Sequence, residues 1–217
     1  MRVRTVSKVM MALSLALLVT AGAHAAPPAE AGKAPLGPKE RIEAVYASIA
    51  TATETVDSQE QLVEALTTTL DGLMDYEAFA KRTLKTSWPT LTKAQRATFM
   101  DRFKKLVVVV YAKRFKPRTA FEVAWRNDGV KYRGDAKTEA KVMSIIRGRN
   151  VSADVDYYMT LGGTASKDVW YVYDFEIDEV SMALNWRKRF EGIIKKDGFE
   201  VLIERIQARI DRDDEGD

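Results

Sequence analysis

The stretch "WYVYDFEIDEV", Trp170 to Val180, decides how this chain folds. A half-buried strand alternates apolar with polar residues, because successive side chains point to opposite faces of the sheet. Tyr171, Tyr173, Phe175 and Ile177 share one parity and make an apolar face. Trp170 and Val172 share the other with Asp174 and Glu176. The strand is therefore apolar on one side and partly apolar on the other, so its second side needs cover as well.

The same period of two runs backward from Trp170. Within Val151–Leu161, Val155, Tyr157, Met159 and Leu161 share a face, and Asp154, Asp156 and Thr160 take the opposite one. A further strand is predicted over Ala136–Ile146. Phe121, Val123 and Trp125 alternate ahead of "NDG" (Asn127 to Gly129), a strong hairpin-turn signal. "RGRN" and "GGTASKD" supply the other turns. Connections this short imply antiparallel pairing.

Helical spacing flanks the strands. Ile42, Val45, Tyr46 and Ile49 predict a helix over Glu40–Ala50, and Leu62, Leu66 and Leu70 one over Gln59–Leu70 behind a Ser58 cap. "DYEAFAKRTL" follows, opened by Asp75. Thr92 and Gln95 have capping-box spacing and start a long helix that carries Phe99, Phe103, Leu106, Val107, Val110 and Tyr111 and ends before Pro117. After Val180 the period returns through Met182, Trp186, Phe190 and Ile193. Gly198 separates a last helix with Phe199, Leu202, Ile203 and Ile206. The fold class is α+β: a curved antiparallel sheet of about four to five strands, packed with helices from both ends of the chain.

The 217 residues also carry export signals. Arg2, Arg4 and Lys8 precede the short apolar run "VMMALSLALLV", and Ala23 and Ala25 flank His24 as a small-residue cleavage site. Residues 1–25 are read as a signal peptide, 26–39 as a flexible Pro- and Gly-rich linker, 40–210 as one domain and 211–217 as an acidic disordered tail. Removing the leader takes away three cations, so the formal charge falls from +3 to zero. With both signs interspersed, no nucleic-acid partner is expected. The sole histidine leaves with the leader and there is no cysteine. Zinc sites of the usual kinds, Ser-His-Asp triads and thiolate nucleophiles are thereby excluded, and no metal or cofactor is expected.

The apolar faces are generous for a domain of this size. Ordinary core would account for each singly; a cavity between sheet and helices would use the surplus. Its candidate lining is Phe103, Val107 and Val110 on the long helix, Val155, Tyr157 and Met159 on one strand, and Tyr171, Tyr173 and Phe175 on the next. Met182 and Trp186, one helical turn apart, are placed either at the cavity mouth or in the core.

Two segments carry a family resemblance. "DYEAFAKRTLKTSWPTLTKAQRATFMDRFKKLVVVVYAKRF" has the opening Asp-Tyr, the Trp, the L-T-x-x-Q and the Phe-rich helix of the MlaC, or toluene-tolerance auxiliary, family. "WYVYDFEIDEVSMALNWRKRFEGIIKKDGFEVLIERI" resembles that family's W-x-x-Y-D, G-[VI]-S, Y-R-x-x-F and G-F-D-x-L-I. Trp170, Tyr173, Asp174, Val180, Ser181, Arg187, Phe190, Gly198 and Phe199 fall on those positions. Glu179 stands where the family usually has Gly, which predicts a changed turn or a negative φ. Trp186 replaces Tyr, Arg189 replaces Gln, and Glu200 replaces Asp.

The resemblance implies a nuclear-transport-factor-like sheet with added helices, and a soluble periplasmic carrier of phospholipid. Its implied partners are an outer-membrane lipoprotein complex and an inner-membrane ABC transporter with an MCE-domain protein. Three rivals remain: a carrier of hopanoid or fatty acid, a protein adaptor without cargo, and a small-ligand enzyme on a cone-shaped sheet. The enzyme's best base is Asp174. Alternation puts Asp174 beside Glu176 and opposite the apolar face, which favours a structural role.

Overall fold

Local capping chemistry sets where the helices begin. In the computed structural model, which describes residues 35–112, 114–148, 152–163 and 166–214, helix α1 (Pro38–Thr55) opens on proline, where a missing N–H costs nothing. Helix α2 (Gln59–Leu73) is capped by Ser58, whose hydroxyl accepts from the Gln61 N–H at 3.2 Å. Asp75 caps α3 (Tyr76–Thr83) through the Ala78 N–H at 2.9 Å. The capping box of α4 (Lys93–Ala112) is complete: the Gln95 N–H donates to Thr92 Oγ1 at 3.2 Å and the Thr92 N–H to Gln95 Oε1 at 3.0 Å.

The signal peptide, residues 26–34 of the linker and residues 215–217 of the tail lie outside the described residues. Helix α1 already begins at Pro38, inside the stretch read as linker.

Five strands form one antiparallel sheet in the order β1 (Glu122–Arg133), β2 (Glu139–Arg147), β3 (Ser152–Leu161), β4 (Trp170–Ile177) and β5 (Val180–Ser181). Helices α5 (Met182–Asp197) and α6 (Phe199–Asp214) follow, so the α+β class holds as predicted. Curvature is strong. The Tyr132 and Trp170 rings, on β1 and β4, stand 6.0 Å apart. On a flat sheet their strands would lie about 14 Å apart. The helices pack on the concave side, where Val142, Ser144, Met159 and Val172 are fully buried.

Four expectations need correction. The "NDG" signal does not make a hairpin. Register jumps between Trp125 and Val130 while β1 continues, so Arg126 to Gly129 form a bulge. Asn127 and Gly129 do take positive φ, 52° and 79°, but inside a strand; the chain reverses later, near Gly134 and Lys137.

Strand β4 does not alternate throughout. Tyr157 pairs with Phe175 and Tyr158 with Asp174, yet Met159 pairs with Val172. Tyr173 is thus the extra residue of a bulge, and parity switches there. Trp170 and Val172 share the concave face with Phe175 and Ile177; Tyr171 and Tyr173 point to the other side.

The acidic tail does not start at Asp211, because α6 continues through Asp214. Glu179 keeps φ at +66°, after Asp178 at +49°, so the two-residue turn between β4 and β5 retains the left-handed geometry that glycine favours.

Candidate functional site

Aromatic side chains run through the core between sheet and helices and form a continuous series. Phe99 stacks on Phe103 at 5.1 Å, and Phe103 meets Phe79 at 5.1 Å and Trp186 at 5.3 Å. Phe79 lies 5.8 Å from Phe175, which touches Tyr111 at 4.9 Å and Tyr157 at 6.5 Å. Tyr157 leads on to Tyr46, Tyr46 to Phe121, and Phe121 to Phe115. Offset and edge-on geometries of this kind add to area burial.

Of the predicted lining, Phe103, Val107, Val155, Tyr157, Met159 and Phe175 come together on this concave side. Val110 joins them half-buried. Met182 and Trp186 are buried and point inward; Trp186 packs on Phe103 and Phe190. Tyr171 and Tyr173 stand apart on the convex face. The Tyr171 ring lies against Gly163 and 5.7 Å from the Arg41 guanidinium, and Tyr173 lies 4.8 Å from that of Arg82.

The described residues do not seal all of the concave face. Phe121, Val123, Trp125 and Val130 on or beside β1, with Ile146, Tyr157 and Ile177 and the helix-side Tyr111 and Phe115, are apolar, inward-packed and only half-buried. They follow the β1 edge and the end of the sheet around Ile177. Sequence reading had named only Tyr157 from this set as a site residue. Alternation at Phe121 to Trp125 was visible, but which strand the helices would leave uncovered was not.

One polar cluster sits inside. The Tyr46 and Tyr157 hydroxyls hydrogen-bond each other, and Ser144 lies 3.5 Å from Tyr46 while donating to the Val155 carbonyl at 3.0 Å. Burial pushes the Tyr46 and Tyr157 phenols above the ordinary tyrosine range, so both remain neutral donors. Burial does the same to Tyr111.

Asp174, the best candidate base, is buried with its acceptor capacity engaged. It accepts from the Phe175 N–H at 2.9 Å, Ser181 Oγ at 2.8 Å and the Ala183 N–H at 3.1 Å, at the start of α5. A carboxylate there complements the helix dipole and ties β4 to α5. That is the structural role alternation favoured.

The convex face is an ion-pair layer. Arg126 bridges Asp154 and Asp156, and Lys141 reaches Asp156 at 2.6 Å and Glu176 at 3.5 Å. Desolvation works against the Lys141 ammonium, yet hydrogen bonds to Asp156 and Tyr158 hold its pKa above the ordinary lysine value. A separate groove of about 400 Å³ lies among α2, α4 and α6, with Val63, Val108, Val109 and Ile210 below a rim that includes the Asp71–Lys104 pair.

Fold and site together define a class: a helix-backed, curved antiparallel sheet whose apolar concave side is incompletely covered by the described residues. The model of the MlaC protein family matches residues 39–208, and the chain belongs to that family. Among solved structures it is similar to the phospholipid-binding protein from Ralstonia solanacearum in complex with a phospholipid, at a TM-score of 0.69 and 17% identity, covering 81% of this chain and 97% of that one. The likeness establishes the fold. No curated protein matches the chain.

Proposed function

We propose that this protein is a soluble periplasmic phospholipid carrier. It holds acyl chains on the concave side of the sheet and shuttles lipid between an outer-membrane lipoprotein complex and an inner-membrane ABC transporter bearing an MCE-domain protein, in maintenance of outer-membrane lipid asymmetry. The half-buried apolar set from Phe121 through Tyr157 to Ile177 carries the proposal, on a family fold whose Ralstonia solanacearum relative is described as phospholipid-binding. Each acyl CH₂ withdrawn from water is worth about 0.8 kcal/mol, so two chains cross an aqueous space only under cover. The polar head stays outside, where its hydration is kept.

The interior is filled by aromatic contacts, so lipid entry requires helices to move off the sheet. Trp186 and Met182 on α5 and Phe103, Val107 and Val110 on α4 are the side chains that would trade protein contacts for acyl ones. Membership in this family and the engaged Asp174 support carriage over catalysis. Among the described residues no helix is long and apolar enough to cross a membrane, which is consistent with a carrier.

Protein purified without detergent should yield stoichiometric phospholipid on extraction and mass spectrometry. Clean apo protein that takes up no fluorescent phospholipid sinks the proposal. Hopanoid or fatty acid in the extract would keep the carrier and change its cargo.

A further inference from the structure

Helix α5 has two faces of opposite character. Inward it presents Met182, Ala183, Trp186 and Phe190, all buried. Its exposed residues are Leu184, Asn185, Lys188, Arg189, Gly192, Lys195 and Lys196, which include four cations and no acid. The helix does contain two acids, and both are turned to the protein. Glu191 accepts from the Thr86 and Ser87 N–H groups and from Ser87 Oγ, at 2.8, 3.0 and 2.6 Å. Asp197 pairs with Arg205 at 2.7 Å.

Lys188, Arg189, Lys195 and Lys196 make no ion pair with any described residue, in a protein where many other cations, such as Lys39, Lys81, Lys104 and Lys141, are paired. Exposed Lys85 lies alongside, because the next two residues are tied to Glu191.

Apolar surface joins the cations at one end. Among the described residues the exposed large hydrophobic ones are Leu36, Tyr132, Val180 and Leu184, and the last two flank the Ser181 cap at 51% and 50% exposure. Leu184 is one turn from Lys188. Val180 pairs with Ile177, a member of the half-buried apolar set. The preceding turn is held from β3, with the Asp178 N–H donating to the Asp154 carbonyl at 2.9 Å and the Asp154 N–H to Asp178 Oδ1 at 3.0 Å. Val180 is therefore presented on a fixed turn. Glu179, exposed in that turn, is an acid close in sequence to the start of this face.

From these observations we infer that the outer face of α5 docks on an anionic lipid surface, with Lys188, Arg189, Lys195 and Lys196 against head-group phosphates and Leu184 and Val180 dipping into the interface. Cations near an anionic leaflet attract it, and exposed leucine and valine are placed to bury on contact. Docking would bring the helix whose other side covers the aromatic interior to the membrane, where lipid must leave or enter. The inference rests on the carrier reading.

Vesicle co-sedimentation tests it, using the purified exported chain with phosphatidylcholine vesicles alone or carrying about 30% phosphatidylglycerol. Wild type should bind the anionic vesicles, release them as salt rises, and leave the neutral ones. Each cation near the surface contributes roughly fivefold, so K188Q/R189Q should weaken partitioning about 25-fold and the quadruple Gln variant on the order of 500-fold. Leu184→Ala should give a smaller loss that salt does not alter. All these positions are exposed, and unchanged circular dichroism and melting would confirm the fold. Equal binding to both vesicle types, no binding to either, or an unaffected quadruple variant overturns the inference; the last two would point to a protein partner for this face. Co-purified lipid, measured on the same preparations, keeps the outcomes separate: lipid present without vesicle binding sinks the docking face alone.

Discussion

Two parts of the concave face are built from the same kinds of residue and treated differently. Around Val142, Met159 and Val172 the sheet is covered by α2 to α5, and Leu73, Phe79, Phe103 and Met159 are essentially without solvent contact. Toward β1 and Ile177 the residues are no less apolar: Phe121, Val123, Trp125, Ile146 and Ile177. Among the described residues, α1 and the end of α4 lie over them, and they remain half-buried. The first part behaves as core, with interior packing and little tolerance for lost volume. In the second, apolar surface has been kept where the protein does not finish covering it. On the carrier reading proposed above, the second part is the ligand side of the molecule.

The largest expected effect lies in the sealed part. Phe103 is fully buried and touches Phe79, Phe99, Trp186 and Phe190. Phe103→Ala should therefore cost about 3–5 kcal/mol in urea denaturation, with bound lipid lost through unfolding. A cost below about 1 kcal/mol would mean that this region is already loose, and the contrast between the two parts would collapse.

A smaller stability effect, but a direct effect on ligand, is expected in the open part. Phe121→Ala removes a half-buried ring next to Tyr46 and Phe115, so stability should fall by only about 1–2 kcal/mol. Lipid retention by the folded variant should fall more than its melting point suggests, measured as exchange of a fluorescent phospholipid. An unchanged exchange rate would move the ligand away from this end of the sheet. The groove among α2, α4 and α6 would then be the next place to look.

What could be read from the chain alone was local. The Ser58 and Asp75 caps and the Thr92–Gln95 box depend on neighbours within one turn, and all three are present as spaced. The two bulges depend on partners elsewhere. At Asn127 and Gly129 the local signal for positive φ was right, but only pairing with β2 decides whether it turns the chain or kinks a strand. At Tyr173 no local signal exists. The switch accompanies the engagement of Asp174 by Ser181 and Ala183, and a hydrogen bond of 2.9 Å from the Asp75 N–H to the Val172 carbonyl. Counting parity across it put Tyr171 and Tyr173 on the lining face. The residues beyond the bulge, Phe175 and Ile177, were assigned to an apolar face that does turn inward.

The smallest effect tests the turn that presents Val180 at the open end. Asp178 and Glu179 both occupy left-handed backbone, at 49° and 66°, and each non-glycine residue there carries a steric penalty from its Cβ. Asp178 has compensation, because its carboxylate accepts from the Asp154 N–H and its own N–H donates to the Asp154 carbonyl. Glu179 is exposed, and no hydrogen bond or ion pair holds its side chain among the described residues. Glu179→Gly removes the Cβ penalty at the cost of a more flexible unfolded chain, so the net gain should be about 0.5–1 kcal/mol. Thermal melts of wild type and variant would resolve this. The same variant removes an exposed acid beside Val180, so it should also bind anionic vesicles somewhat more tightly. A destabilised E179G would show that the glutamate side chain supports the turn, and Val180 would then owe its position to that side chain as well as to the anchoring of Asp178 on β3.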